Sequence, residues 1–183
     1  ILEPTSSNTG IGLAMVAAVK GYRLLVTMPE SMSEERRKIL EAFGAEIILT
    51  PGERGTDGAI EKARQLYAGN PELYFMPDQY NNTGNALAHY ETTAFEIWEQ
   101  TKGKITHLVA GMGTTGTLMG CSRRLKEFNP NIKIIGVEPF KGHKIQGLKN
   151  MQEAIVPKLY NPALLDEKVN ILDEDAFVMT KRL

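Results

Sequence analysis

A single cysteine, Cys121, stands in the 183 residues, so an internal disulfide is excluded and a reducing, cytoplasmic setting is the expectation. It falls early in an expected helix and reads as a small packed residue rather than a nucleophile. An excess of charge of one sign is also lacking. The 21 basic and 22 acidic residues are scattered, which leaves no footprint for nucleic acid or an anionic membrane surface. No apolar run nears the roughly 20 residues that a membrane-spanning helix needs, and no signal peptide is visible. His89, His107 and His143 lie far apart without ligand spacing, so no metal site is expected. Methionine is absent from position 1, and Ile1 and Leu2 read as the tail of a strand already under way. Residues 173–183 read as a helix that stops without glycine or proline. The expectation is a chain clipped at both ends.

What is present is an alternation of strand and helix. Residues 22–28 read as a strand ended by Pro29. Ser33 then opens a helix as its N-cap, with Glu34 and Glu35 in the first turn, an inner stripe of Ile39, Leu40 and Phe43, and a stop at Gly44. A strand at 46–50, a helix at 57–68 and a short strand at 73–76 follow. Residues 83–101 read as a long helix whose Leu87, Tyr90, Phe95 and Trp98, at near-helical spacing, are expected in the core. Strands at 105–110 and 133–137 flank a helix at 117–128. Residues 139–168 read as an irregular surface excursion before a last strand at 169–172. Strands and helices alternating at these lengths imply parallel sheets with crossover helices. Ligands of such sheets lie beyond the carboxyl ends of the strands.

Two strand ends are unusual. From Leu108 to Leu118 the chain reads Leu-Val-Ala-Gly-Met-Gly-Thr-Thr-Gly-Thr-Leu, an apolar strand that breaks into glycines and threonines and opens a helix. Backbone N–H groups at a helix start carry partial positive charge, glycines admit an anion closely, and hydroxyls add donors without net charge. This is a phosphate cradle by shape. The spacing Gly111-x-Gly113-x-x-Gly116, with Glu138 ending the next strand, equally fits an NAD-binding Rossmann unit. The second loop is Thr5-Ser6-Ser7-Asn8-Thr9 before a helix at 10–20. A helix cap needs one short polar residue, whereas five in a row suit an anion such as a carboxylate.

Several segments together resemble one family. They are Glu-Pro-Thr-Ser-Ser-Asn-Thr-Gly at 3–10, Pro-Glu-Ser-Met-Ser-x-Glu-Arg-Arg at 29–37, Phe-Gly-Ala-Glu at 43–46, Asp-Gln-Tyr-Asn-Asn at 78–82, Gly-Thr-Thr-Gly-Thr at 113–117 and Val-Glu-Pro at 137–139. Their order and content resemble the pyridoxal-phosphate (PLP) enzymes of the cysteine synthase/cystathionine β-synthase family, from end to end of the chain. Thr-Thr rather than Thr-Gly in the glycine loop brings the likeness closest to the B-type O-acetylserine sulfhydrylases.

The resemblance implies an α/β fold of the tryptophan synthase β type, with two domains built on open parallel sheets, both partial here. Residues 1–81 would belong to a smaller N-terminal domain and 82–183 to a larger one. It implies that Gly113, Thr114, Thr115, Gly116 and Thr117 hold the PLP phosphate and that Asn8 bonds the ring hydroxyl. Thr5, Ser6, Asn8 and Thr9 would receive the amino-acid carboxylate with Gln79, and Gly147 would border the site. Serine at position 7, usually glycine in the family, is expected to stiffen the substrate loop. The implied reaction is β-replacement on O-acetyl-L-serine by sulfide or thiosulfate, giving L-cysteine, in a homodimer. O-phosphoserine and cystathionine chemistry are close relatives. None of the thirteen lysines matches the family's Schiff-base lysine in context, so the chain alone is expected to be inactive. A Rossmann module, or a truncated non-catalytic binding partner, remains the alternative.

Overall fold

A computed structural model describes residues 1–6 and 8–183; the expectation about Ser7 lies outside the described residues. The chain divides into two compact units, Ile1–Gln79 and Tyr80–Leu183.

The first unit is built on a parallel sheet in the order β1 (Leu2–Pro4), β2 (Leu25–Pro29), β3 (Glu46–Thr50). The crossovers are α1 (Asn8–Lys20) and α2 (Glu34–Ala42), and α3 (Gly55–Gly69) follows β3. Alternation along β2 sends Val26 and Met28 into a core with Ala14 and Ala17 of α1 and Leu40 of α2. Thr27 points the other way and donates its hydroxyl to the Ala59 carbonyl of α3 at 2.8 Å.

The strand expected at 22–28 begins only at Leu25, because Gly21 turns the chain at φ 72° and leaves Tyr22 exposed. Of the α2 stripe only Leu40 is buried, while Ile39 and Phe43 stay about 40% exposed (41% and 40%). A nine-residue helix over a three-stranded sheet covers one row of side chains, not three. Ser33 occupies the N-cap of α2, but its hydroxyl bonds the Glu35 carboxylate and caps no backbone N–H. Residues 73–76 form no strand. One bond, Leu2 N–H to Phe75 O, touches the sheet, and Leu73 and Phe75 are both 68% exposed.

The second unit repeats the plan with β4 (His107–Gly111), β5 (Lys133–Pro139) and β6 (Glu167–Ile171), parallel and in that order. Its core joins Leu108, Met112, Ile132 and Ile134 of the sheet region to Leu118, Cys121 and Leu125 of α6 (Gly116–Phe128). The expected long helix is α4 (Thr83–Ala88), a π turn (His89–Thr93) and α5 (Ala94–Gln100). Its stripe reaches the core only in part, through Trp98. Leu87 and Phe95 are 47% and 49% exposed, Tyr90 lies beneath the Arg124 guanidinium, and Trp98 packs on Phe128. The π turn shifts the helical phase, so a stripe drawn at uniform spacing cannot stay on one face. Residues 140–166 are irregular apart from one 3-10 turn, but not merely superficial: Lys149 and Asn150 are buried. A final helix, α7 (Asp173–Arg182), has no buried residue.

Asp166 ties α6, β5 and β6 together. Its carboxylate accepts from Lys126 Nζ at 2.8 Å and from the Ile134 N–H at 2.9 Å, and its own N–H reaches the Ile134 carbonyl. The Lys126 ammonium, helped by that backbone bond, holds its carboxyl down at about 2 from an ordinary 3.8. A depressed folded-state value stabilises above the unfolded value and is lost as pH falls through the folded one. Asp166→Asn is therefore expected to lower the urea midpoint at pH 5–7, with the gap to the parent protein closing between about pH 4 and 2.

Candidate functional site

Both loops marked in the sequence occupy carboxyl ends of parallel strands. In the second unit, β4 ends at Gly111, and α6 begins at Gly116 with no acidic residue in its first turn to neutralise the dipole. The loop between them is held tightly. The Met112 carbonyl accepts from the Lys149 N–H at 2.8 Å, and Asn85 Nδ2 donates to Thr114 Oγ1 at 3.1 Å. A methyl group on Gly113 would lie 2.6 Å from the Gly147 carbonyl oxygen, and one on Gly116 would collide with the Asn85 amide. These two positions are glycine because their neighbours touch the backbone.

Thr115 is the unusual residue. It stands at φ 67° and ψ 1°, left-handed backbone that a β-branched residue avoids at a cost of about 1–3 kcal/mol. Its side chain is buried, yet Oγ1 has no hydrogen-bond partner. An unmet buried hydroxyl costs about 1–3 kcal/mol. Strain and an unmet donor at the head of a thirteen-residue helix fit an oxyanion with several acceptor oxygens. Thr117, one residue into the helix, is exposed and its hydroxyl pairs with His89 Nε2 at 3.1 Å.

His89 is a residue that sequence reasoning did not single out for a role. Its other nitrogen pairs with Thr93 at 2.9 Å, so both ring nitrogens are committed to threonine hydroxyls. Burial pushes the imidazole below its ordinary value. The π turn beginning at His89 is what no spacing rule reveals. Cys121 is buried, and burial raises its thiol to about 11, which suits packing and not nucleophilic attack.

The first unit's loop follows β1. Thr5 is buried, continues the ladder through its N–H to Thr27 O, and accepts from the Gly10 N–H at 3.2 Å. Ser6 and Thr9 are half-buried, and Asn8 is exposed at the first residue of α1, which has no acidic side chain in its first turn. Thr9 donates its hydroxyl to Gln79 Oε1 at 2.7 Å, and Gln79 Nε2 donates to Pro4 O at 2.7 Å. The structure therefore brings Thr9 and Gln79 together across seventy residues. Beneath them lies Glu3, fully buried, which sequence reasoning also passed over.

Glu138 does not offer an open carboxylate to a ribose. It is 1% exposed and takes bonds from Lys168 Nζ at 2.7 Å, the Met151 N–H at 2.9 Å and Asn170. Burial works to raise its pKa, but the Lys168 ammonium and these donors together hold it below the ordinary carboxylate range. The Rossmann alternative thereby loses the acid it needs.

The model of a pyridoxal-phosphate dependent enzyme family matches residues 1–183. The chain belongs to that family. Its relatives include a cysteine synthase of Aquifex aeolicus, 49% identical over all of this chain and 56% of that protein. Cysteine synthase B of Escherichia coli is 46% identical over 96% of this chain and 57% of that protein. Among solved structures, a hydrogen sulfide-producing enzyme from Fusobacterium nucleatum superposes with a TM-score of 0.91 at 42% identity, covering all of this chain and 64% of that one. The chain thus spans a little over half the length of the curated relatives it matches.

The family is pyridoxal-phosphate dependent, and whether the loop at Thr115 takes a phosphate is open to a direct test. Thr115→Val keeps the shape and removes the hydroxyl. It is expected to leave the cofactor-free melting temperature unchanged or slightly higher, and to weaken PLP roughly tenfold in an absorbance titration. Equal PLP affinity in the two proteins would exclude the hydroxyl as a phosphate ligand.

Proposed function

We propose that the whole protein is a PLP-dependent β-replacement enzyme that makes L-cysteine from O-acetyl-L-serine and sulfide or thiosulfate. The observation that carries the reading is the buried, unpartnered Thr115 hydroxyl on a strained backbone at the start of α6. In this reading Gly113, Thr114, Thr115, Gly116 and Thr117 hold the cofactor phosphate through backbone N–H groups, hydroxyls and the helix dipole. Asn8 bonds the ring hydroxyl. Thr5, Ser6, Asn8 and Thr9, with Gln79, take the substrate carboxylate. When bound, PLP supplies an electron sink that stabilises the negative charge left as the α-proton departs. The chain's own residues then do the positioning: α6 anchors one end of the cofactor, and the polar loop orients the amino acid.

Residues 1–81 are assigned to a smaller N-terminal domain and 82–183 to a larger one. Among the described residues no helix is long and apolar enough to cross a membrane. Cys121, buried with a raised thiol pKa, suits a reducing cytoplasm, and a homodimer is in keeping with the family likeness.

The test is turnover by the PLP-loaded full-length protein. O-acetyl-L-serine with sulfide is expected to give L-cysteine at a kcat/KM at least tenfold above O-phospho-L-serine. A reversed preference would overturn the substrate assignment. Thermal protection by NAD but not by PLP would overturn the cofactor assignment.

A further inference from the structure

Glu3 is a buried carboxylate to which the cofactor and substrate roles above assign nothing. It sits in the middle of β1, paired in register with Val26, and is wholly removed from solvent. Its two oxygens divide between successive backbone donors: Oε2 accepts from the Asp78 N–H at 2.8 Å, and Oε1 from the Gln79 N–H at 3.0 Å. Between those donors Asp78 stands at φ 52°, left-handed backbone that a non-glycine residue adopts only under constraint. The Gln79 side chain emerging from this turn meets Pro4 O through Nε2 and Thr9 through Oε1.

We infer that Glu3 is a positioning residue for substrate: its carboxylate clamps the Asp78–Gln79 turn and thereby sets Gln79 against Thr9. The inference rests on the proposal that Thr9 and Gln79 receive the substrate carboxylate. Only an ionised carboxylate offers a strong, charged acceptor to both N–H groups. Once protonated, one oxygen becomes a donor facing a donor. The clamp then holds by one bond, and the turn is released to relax.

The group titrates where this matters. Burial pushes Glu3 up to about 7, and the Asp78 carboxylate adds to the rise, against the lowering effect of the two backbone N–H bonds and of the Gln79 side chain. Asp78 is the one charged side chain acting on Glu3 among the described residues. Two opposite trends follow. Because the folded-state value lies above the ordinary 4.5, the contribution of Glu3 to stability is full below about pH 4.5 and is lost as pH rises through about 7. Substrate affinity runs the other way, rising through the same interval as the clamp completes. A residue that served stability alone would give the first trend without the second.

The test uses the PLP-loaded full-length protein and L-serine, a substrate-like amino acid without the leaving group, with binding measured by calorimetry from pH 6 to 8.5. The parent protein is expected to bind L-serine roughly tenfold more tightly at pH 8 than at pH 6. Glu3→Gln should bind it at the weaker level, without that slope, raising KM for O-acetyl-L-serine about tenfold while leaving kcat within twofold. The same pH slope in both proteins overturns the role of Glu3 and leaves the proposed function standing. No L-serine binding by the parent protein at any pH overturns the proposed function and this inference with it. If Glu3→Gln fails to fold, the amide resonances of Asp78 and Gln79 in the parent protein decide. A shared titration near pH 7 supports the clamp, and flat shifts from pH 6 to 8.5 overturn it.

Discussion

A β-branched residue held in left-handed backbone is the constraint on which the second unit turns. Thr115 lets the chain leave β4 and enter α6 within four residues. Its neighbours keep it there. Glycine at 113 admits the Gly147 carbonyl, glycine at 116 admits Asn85, and Asn85 bonds Thr114. The π turn that begins at His89 brings the imidazole to Thr117. Strain of a kcal/mol or more persists only where surroundings over-determine it, and strain of that kind gathers at binding sites. The unmet hydroxyl and the unneutralised helix dipole are what the proposed phosphate would satisfy.

The first unit solves a related problem with different chemistry. There too a parallel strand ends in a helix start without acidic residues, but the loop is dense in hydroxyl and amide groups instead of glycine. Bare backbone suits an anion with three oxygens spread around a helix axis. Side-chain hydroxyls and amides suit the two coplanar oxygens of a carboxylate, because each can be aimed. Aim requires support, and Gln79 has it from Pro4, Thr9 and the turn held by Glu3.

The α/β architecture was legible because its signals are local. β3 spans the residues read as a strand, α6 starts one residue before the expected position, and Gly44 ends α2 in left-handed backbone. The family was legible because its motifs stand in order along the whole chain, and the family model covers residues 1–183. What escaped depended on partners distant in sequence. Residues 73–76 have strand-like composition and reach the free edge of β1 through the bond from the Leu2 N–H to the Phe75 carbonyl, but no ladder runs on from it among the described residues. Of the stripe at 87–98, Trp98 reaches the core but Leu87 and Phe95 do not, because a π turn interrupts the periodicity on which the reading relied. Glu3 looked like part of a motif; its burial and its hold on residues seventy-five positions away exist only in the folded chain.

The most direct measurement is a crystal structure of the PLP-loaded full-length protein, read at the start of α6. The account requires the phosphate to sit on the backbone N–H groups of the 113–117 loop, with one oxygen within hydrogen-bond distance of Thr115 Oγ1. A phosphate bound elsewhere, with the Thr115 hydroxyl still unpartnered, would contradict it.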